Sequence, residues 1–325
     1  MRGATVAVLC AAALLAGCEQ CPTTLFPMEQ VVAEYNANAR AAPRLWARAK
    51  IEMTLADEAG RAVTLGSASP LASPNGLLLL AKDGARPLGP HNFALIGREL
   101  GQEVFRLGAS AEEGVYYLWY RAGDKGGAWY GRNQFAGAPG VRGVSIDPNQ
   151  LLAVLTLCEL PPDSTAFPAV ALTMSRDPCA YVLTYIERQS VTGKIVFRRE
   201  IYIRWSDRDR REPFLVKFFD NQGRRIMTAH LRDYRPIDTP APEDDAEAAR
   251  RQAANLDAVM PTDIEIVWED WPGRTSPVRR LRMVLSEMTT ADKWATESCR
   301  FRENLPPNLR PVLIDEDLDR KGPRK

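Results

Sequence analysis

Apolar residues recur at every second position along most of this chain, which is the spacing of a β-strand with one buried face. The clearest example is the segment 194–205, in which one face is apolar apart from a single charged residue, Arg199. Polar turns separate it from the alternating segments 214–220 and 224–234. These three segments therefore predict an antiparallel meander.

Further strands are predicted on both sides of this meander. The segments 263–270 and 278–288 alternate in the same way, and a short last strand is expected near 298–302. Before the meander, the segment 115–121 (VYYLWYR) carries large side chains on both faces, so both faces should be at least partly covered. The whole pattern predicts a mainly β fold of about 11 antiparallel strands with a few helices.

Two segments follow helical spacing instead. Between residues 28 and 41 apolar side chains recur every three or four positions, and Pro43 ends the pattern. The segment 145–157 contains Pro148, which suits the first position of a helix, and then a leucine-rich run with few polar positions. A helix of that composition must be buried or must cover an apolar opening.

The first residues predict export and lipid attachment. Arg2 precedes an apolar run over 4–15, which is shorter than the roughly 20 residues of a membrane-spanning helix. The tetrapeptide Leu15-Ala16-Gly17-Cys18 resembles the lipobox of bacterial lipoproteins, which implies cleavage after residue 17 and acylation of Cys18. Attached acyl chains would hold the protein on a membrane while its body stays in water. An ordinary secretory signal is the alternative interpretation.

Charge and motifs exclude several classes of function. The 42 basic and 41 acidic residues nearly cancel, whereas a nucleic-acid partner requires a basic surface, so none is expected. The two histidines, His91 and His230, stand apart, and the chain has no catalytic or metal-binding motif. We therefore predict no catalytic residue, no metal site and no cofactor. An enzyme whose site is assembled from scattered residues is the weakest hypothesis.

The cysteines leave the disulfide pattern open. Cys21, Cys158, Cys179 and Cys299 follow Cys18, and an even number in an exported chain permits disulfides. The sequence favours a Cys158–Cys179 pair across a proline-rich loop. Unpaired buried thiols are the alternative.

The order of predicted elements resembles a known family. An N-terminal helix, a strand at LWARAKIEMTL, further meanders and a mid-chain helix precede PFLVKFFDNQGRRIMTAHLRDY and MPTDIEIVWED. This order resembles the LolA/LolB superfamily of lipoprotein-sorting proteins. The resemblance implies a half-open antiparallel β-barrel, lined with hydrophobic side chains and covered by helices. Within that superfamily the carrier is soluble in the periplasm and the acceptor is an outer-membrane lipoprotein, and the lipobox matches the acceptor.

The chain is accordingly divided into four parts. Residues 1–17 are the predicted signal peptide and 18–27 the lipidated tether. Residues 28–303 form the predicted barrel domain, with an exposed insertion at 236–257, and 304–325 form an extended arm. The length, the insertion and the arm depart from the superfamily pattern.

Two functional hypotheses follow, which differ in whether the barrel is hollow or packed. In the first, an outer-membrane lipoprotein facing the periplasm binds lipid or the acyl chains of other lipoproteins inside the barrel, by apolar burial alone. The predicted lining and lid are Leu151, Leu152, Leu155, Ile195, Phe197, Ile201, Ile203, Phe214, Val216, Phe218, Leu281, Met283 and Leu285. In the second, the core is packed, and a non-catalytic envelope scaffold binds protein partners.

Overall fold

More than half of the described residues fold into strands of a single sheet. The computed structural model describes residues 21, 25–56, 61–69, 71, 73, 75–82, 89–122, 125–136, 148–161, 167–188, 195–204, 212–220, 222–240, 258–270, 278–291, 293–316 and 318. At residues 122, 125, 148–149, 188 and 195–197 the description covers the backbone alone.

The strands have the following bounds in chain order. They are β1 (Arg44–Ala56), β2 (Ala62–Gly66), β3 (Gly76–Ala81), β4 (Asn92–Glu99), β5 (Gln102–Ser110), β6 (Val115–Ala122), β7 (Lys125–Arg132), β8 (Ala169–Arg176), β9 (Cys179–Arg188), β10 (Ile195–Arg204), β11 (Pro213–Phe219), β12 (Arg225–Pro236), β13 (Val259–Trp268), β14 (Val278–Thr289) and β15 (Pro311–Leu313).

In the part of the chain that the structure describes, three α-helices accompany the sheet. Helix α1 spans Met28–Arg40, α2 spans Pro148–Val154 and α3 spans Phe301–Asn304. The predicted helices at 28–41 and from Pro148 are confirmed. The strand predicted near 298–302 is wrong, because Thr296–Cys299 forms a 3-10 turn that leads into α3.

The sheet is open and larger than predicted. Its strand order is β15-β7-β6-β5-β4-β3-β1-β14-β13-β12-β11-β10-β9-β8, and β2 pairs with β1 beside this path. Neighbours are antiparallel except β15 and β7, which are parallel. The predicted half-open barrel of about 11 strands is thus corrected to an open sheet of 15 strands. The β8–β9 hairpin and β15 lie at its two ends and are not paired with each other.

One face of the sheet, which we call the inner face, packs with α1 and α2 into one continuous hydrophobic core. Its residues pair directly across strands: Ile51 of β1 faces Met283 of β14, which faces Ile264 of β13. All three are fully buried. Each such side chain contributes about 1.5–3 kcal/mol of hydrophobic stabilisation, so the predicted period-two pattern describes the main stabilising surface.

The C-terminal segment covers part of the opposite face. Phe301 packs on Tyr117 of β6, with ring centroids 5.0 Å apart, and the Tyr117 hydroxyl donates to the Cys299 carbonyl at 2.9 Å. Farther on, Asp315 is completely buried and forms a 3.0 Å ion pair with Arg132. The described part of the segment from 304 onward therefore docks against the sheet and contributes β15.

The disulfide differs from the predicted one. Cys179 is bonded to Cys21, with 5.1 Å between their Cα atoms, whereas Cys158 keeps its thiol. The reason is that 169–188 forms a hairpin instead of a loop, which places Cys179 at its turn, while Cys158 follows α2. Beside the disulfide, Phe26 contacts Tyr181 at 5.5 Å between ring centroids. The N-terminal segment is therefore attached to the start of β9.

We predict that Cys179→Ser lowers the free energy of unfolding by about 2–5 kcal/mol, because the bridge closes a loop with a sequence separation of 158. Urea denaturation without reductant measures this loss, with Cys158→Ser as the matched control. Peptide mapping under non-reducing conditions should recover Cys21 linked to Cys179. A peptide that links Cys158 to Cys179 would contradict the assignment.

Candidate functional site

The inner face collects most of the residues predicted to line a ligand cavity. The following are all buried in its core: Leu151, Leu152, Leu155, Ile201, Ile203, Val216, Phe218, Leu281, Met283 and Leu285. Ile195 and Phe197 belong to β10, and their side chains lie outside the described residues. Strands β10, β11 and β14 and helix α2 thus present these side chains to one interior.

Phe214 is the exception, because a β-bulge moves it off this face. Tyr202 of β10 pairs with Leu215 of β11, but the next residue, Ile203, pairs with Pro213, so Phe214 is the extra residue. Its ring instead packs edge-on against Tyr202 on the other face, 6.4 Å between centroids. The period-two pattern of one strand cannot reveal the bulge, because a bulge depends on how that strand pairs with its neighbour.

Helix α2 ends in a Schellman motif that places a polar side chain in the interior. The backbone N–H of Leu157 donates to the Leu152 carbonyl, and that of Thr156 donates to the Ala153 carbonyl. Thr156 has a φ of 61°, a conformation that favours glycine and costs an L-residue about 1–2 kcal/mol. The side chain of Thr156 is nevertheless buried. A strained, buried threonine at this position suggests a role for its hydroxyl.

Helix α1 holds the segment after α2 in place. The side-chain amide of Asn36 donates to the Leu160 carbonyl at 2.7 Å and accepts from the Leu160 N–H at 2.7 Å. Asn38 makes the same pair of bonds with Val259, at 3.0 and 2.8 Å. Helix α1 is therefore hydrogen-bonded both to the segment that follows α2 and to the first residue of β13. Sequence analysis missed this role, because two asparagines in a polar helix resemble solvent-exposed residues.

Arg199 is the unusual residue of the inner face. It lies in β10 between Tyr185 of β9 and Phe218 of β11, which are its direct cross-strand partners. Its guanidinium stacks on the Tyr185 ring at 4.4 Å and lies 5.9 Å from that of Phe218. Only 4% of the residue is exposed, and its Nε makes no hydrogen bond. No ion pair to Arg199 is present in the described part of the chain. The sequence marked it as the single charge in an apolar alternation.

Further buried polar groups lie near Arg199. Burial raises the pKa of Tyr35 in α1 well above its usual range, and the Arg199 charge opposes this rise. Burial also raises the pKa of Tyr234, and Tyr35 adds to that effect. The Thr156 hydroxyl lies beside that of Tyr234. The side-chain oxygens of Tyr35, Thr156 and Tyr234 are all buried, and that of Tyr35 has no hydrogen-bond partner among the described residues.

Lys82 marks the rim of this region. Its Nζ donates to the Ala39 carbonyl in the last turn of α1, where a cation is favoured by the helix dipole. Burial lowers the pKa of Lys82 to about 8, while the nearby Cys158 and Glu159 act in the opposite direction. The lysine therefore titrates within an accessible pH range.

The described residues contain neither a metal-binding cluster nor a membrane-spanning helix. Within the described ranges, no group of three or more His, Cys, Asp or Glu residues is arranged to hold a metal ion. None of the described helices is long and apolar enough to cross a membrane. His91 is buried after a turn and His230 is exposed on β12, so the two are not brought together.

Comparison with solved structures gives low-identity matches over most of the chain. A domain described as an outer membrane lipoprotein-sorting domain, from Vibrio parahaemolyticus, aligns with 84% of this chain and 95% of its own, at 8% identity and a TM-score of 0.43. A LolA superfamily protein from Nitrosomonas europaea aligns with 86% of this chain and 100% of its own, at 8% identity and a TM-score of 0.43.

A DUF1329 family protein from Desulfovibrio piger aligns with 83% of this chain and 97% of its own, at 10% identity and a TM-score of 0.42. No family model matches the sequence, and neither does any curated protein.

We predict that Asn36→Leu destabilises the protein by about 2–4 kcal/mol, because it leaves the buried N–H and carbonyl of Leu160 without partners. Glu29→Gln, on an exposed position of the same helix, should change stability by less than about 0.5 kcal/mol. Hydrogen exchange should show faster exchange at 155–161 in Asn36→Leu. Unchanged exchange at these residues would contradict the role assigned to the hydrogen bonds between Asn36 and Leu160.

We predict a pH dependence from Lys82. Between pH 8 and about 10.5 the unfolded chain still holds this proton while the folded chain has released it, so the Lys82 contribution to stability rises with pH. The difference in unfolding free energy between the wild type and Lys82→Met should increase by up to about 1.4 kcal/mol per pH unit in this window. Urea titrations at pH 7.5, 8.5 and 9.5 check this, and a constant difference would contradict it.

Proposed function

We propose that this protein is a lipoprotein of the bacterial cell envelope that binds lipid, or the acyl chains of lipoproteins, against its inner face. In this proposal residues 1–17 are removed, Cys18 carries the lipid, and the protein is held on the outer membrane facing the periplasm. The binding side chains are those that α2 and strands β10, β11 and β14 turn inward, and no catalytic residue is required. A role in lipoprotein sorting would be one use of such binding.

The observation that carries the proposal is a set of buried polar atoms without partners in an otherwise apolar interior. A core packed only with its own side chains rarely leaves such atoms, since each costs about 1–3 kcal/mol. Here the hydroxyl of Tyr35 and the Nε of Arg199 share this condition among the described residues. The hydroxyls of Thr156 and Tyr234, which lie beside each other, are buried as well. A bound molecule with a long apolar part and a polar end would satisfy both kinds of surface.

The energetics favour acyl chains as occupants. Burial contributes about 0.8 kcal/mol per CH₂, so a saturated chain of about 16 carbons would gain roughly 12 kcal/mol before the entropic costs of binding. The apolar side chains of the inner face have no directional requirement, and acyl chains need none. Affinity would therefore depend on the covering helix α2, which excludes water from this face.

The disulfide also bears on how such a lipoprotein would sit on the membrane. Cys18 precedes Cys21 by three residues, a reach of at most about 11 Å. Because Cys21 is bonded to Cys179, lipid attached to Cys18 would hold the β8–β9 turn near the membrane surface. Met174 of β8 and Leu25 are exposed apolar side chains on the segments that this bond joins.

The free edge of the sheet supports a second candidate function. Among the described residues strand β8 pairs only with β9, and it exposes Ala171, Thr173 and Met174. An unpaired strand edge is a template for adding a strand from another chain. This edge is what an envelope scaffold that binds protein partners would use.

We predict that Leu152→Ala weakens binding of a pyrene-labelled fatty acid at least tenfold, because it opens the cover of the inner face. The matched control is Leu79→Ala in β3. Leu152 and Leu79 are 1% and 3% exposed, but Leu79 belongs to a separate cluster on the other face. Both variants should lose about 2–5 kcal/mol of stability, so a difference in binding reports the face and not the folding.

The measurement is a fluorescence titration of the chain carrying Cys18→Ser, at a temperature where both variants are folded by circular dichroism. Equal binding by Leu152→Ala, Leu79→Ala and the parent chain would contradict binding on the inner face. Absence of binding by the parent chain would contradict the proposed function and favour the scaffold.

A further inference from the structure

The charge of Arg199 is the least explained feature of the inner face. Removing a guanidinium from water is unfavourable unless a counter-charge or hydrogen bonds replace the water. Stacking on Tyr185 at 4.4 Å offsets part of this cost. No carboxylate forms an ion pair with Arg199 in the described part of the chain, and Glu187 of β9 acts electrostatically on the neighbouring Tyr185. The cross-strand neighbours of Arg199 are an aromatic phenol and a phenyl ring. The guanidinium is thus left without a neutralising ion pair among the described residues.

The surroundings of Arg199 are suited to an anion at the end of an apolar molecule. Tyr35 approaches from α1, close enough for its hydroxyl to interact electrostatically with the guanidinium, and that hydroxyl has no hydrogen-bond partner among the described residues. On the same face of β10, Ile201 and Ile203 continue the apolar surface away from Arg199. A guanidinium and a phenol are both hydrogen-bond donors, and such groups bind acceptor oxygens.

We propose that Arg199, with Tyr35, binds the anionic head of a long-chain amphiphile, a carboxylate or a phosphate, whose acyl chain lies along the inner face. This proposal rests on the proposed function and adds to it the class of ligand. Arg199 forms the ion pair, Tyr35 donates a hydrogen bond, and Tyr185 and Phe218 hold the guanidinium in place by stacking. Neutral lipids, including the diacylglyceryl group of a lipoprotein, would be bound less tightly.

Arg199→Met tests this assignment, because methionine keeps the apolar length of the side chain without its charge. The matched control is Arg198→Met, one residue away on the same strand, where the side chain is exposed and paired with Glu200 at 2.7 Å. Both are made in the full mature chain with Cys18→Ser. Competition against the pyrene-labelled fatty acid then compares palmitate, hexadecyl phosphate and the neutral methyl palmitate.

The parent chain and Arg198→Met should bind palmitate or hexadecyl phosphate at least tenfold more tightly than methyl palmitate. In Arg199→Met this preference should disappear, with methyl palmitate unaffected. Whichever of the two anions is preferred identifies the head group. Without ligand, Arg199→Met should unfold at a higher urea concentration than the parent chain, because an uncompensated buried charge has been removed.

Three results would overturn the proposal. Equal binding of charged and neutral ligands by the parent chain would remove the anion site and leave acyl binding intact. A second result is that inorganic phosphate stabilises the parent chain but not Arg199→Met, while the parent chain binds charged and neutral long-chain ligands equally. This result would identify a site for a free anion instead. Strong destabilisation by Arg199→Met would make Arg199 a structural residue. Failure of the parent chain to bind any acyl probe is a different result, which removes the proposed function itself.

Discussion

The hydrogen bonds between Asn36 and Leu160 are the contact on which the arrangement of the inner face depends. A sheet of 15 strands with one apolar face needs other elements to cover that face. The two helices that cover it have only 13 and 7 residues. Helix α1 is polar on its outer side, and α2 has only two turns. The Asn36 amide fixes the segment after α2 to α1, and Asn38 fixes α1 to the start of β13. Cover and sheet are thereby one unit.

The second constraint is the charge that this cover encloses. Burying Arg199 beneath α1 costs free energy that aromatic stacking recovers only in part. A protein with no use for the charge would be stabilised by an apolar residue at this position, as at Ile201 and Ile203 on the same face. The strained φ of Thr156 and the unpartnered hydroxyl of Tyr35 also favour a functional role for this interior, since each costs free energy in a core that is otherwise regular.

The sequence predicts correctly those elements that bury one face and expose the other. Strands β10 to β14 and helix α1 show clear periodicity, because one of their faces meets water and the other does not. The β8–β9 hairpin is not predicted, because the sequence between Cys158 and Cys179, which contains β8, indicates a proline-rich loop. The predicted disulfide is wrong for the same reason. Short β15 pairs through backbone hydrogen bonds in a charged, proline-rich segment, which leaves no pattern to detect.

The side chains predicted to line a cavity share a face for a similar reason. Ten of them lie on the inner face, since period two identifies a shared face, while the bulge at Phe214 depends on pairing with Tyr202 and Ile203 and is invisible in one strand. The polar residues of the interior were harder to identify. Asn36, Tyr35 and Thr156 acquire their roles only through contacts between distant segments, whereas Arg199 stood out as a charge where the alternation requires an apolar residue.

The most direct test of the central claim is native mass spectrometry of the chain with Cys18→Ser, purified from cells without strong detergent, followed by extraction and identification of what it carries. The account predicts one acyl-chain molecule with a carboxylate or phosphate head per protein, absent from Arg199→Met. A protein that emerges empty, and stays empty when palmitate and hexadecyl phosphate are added, would contradict it and would indicate that the inner face is a packed core.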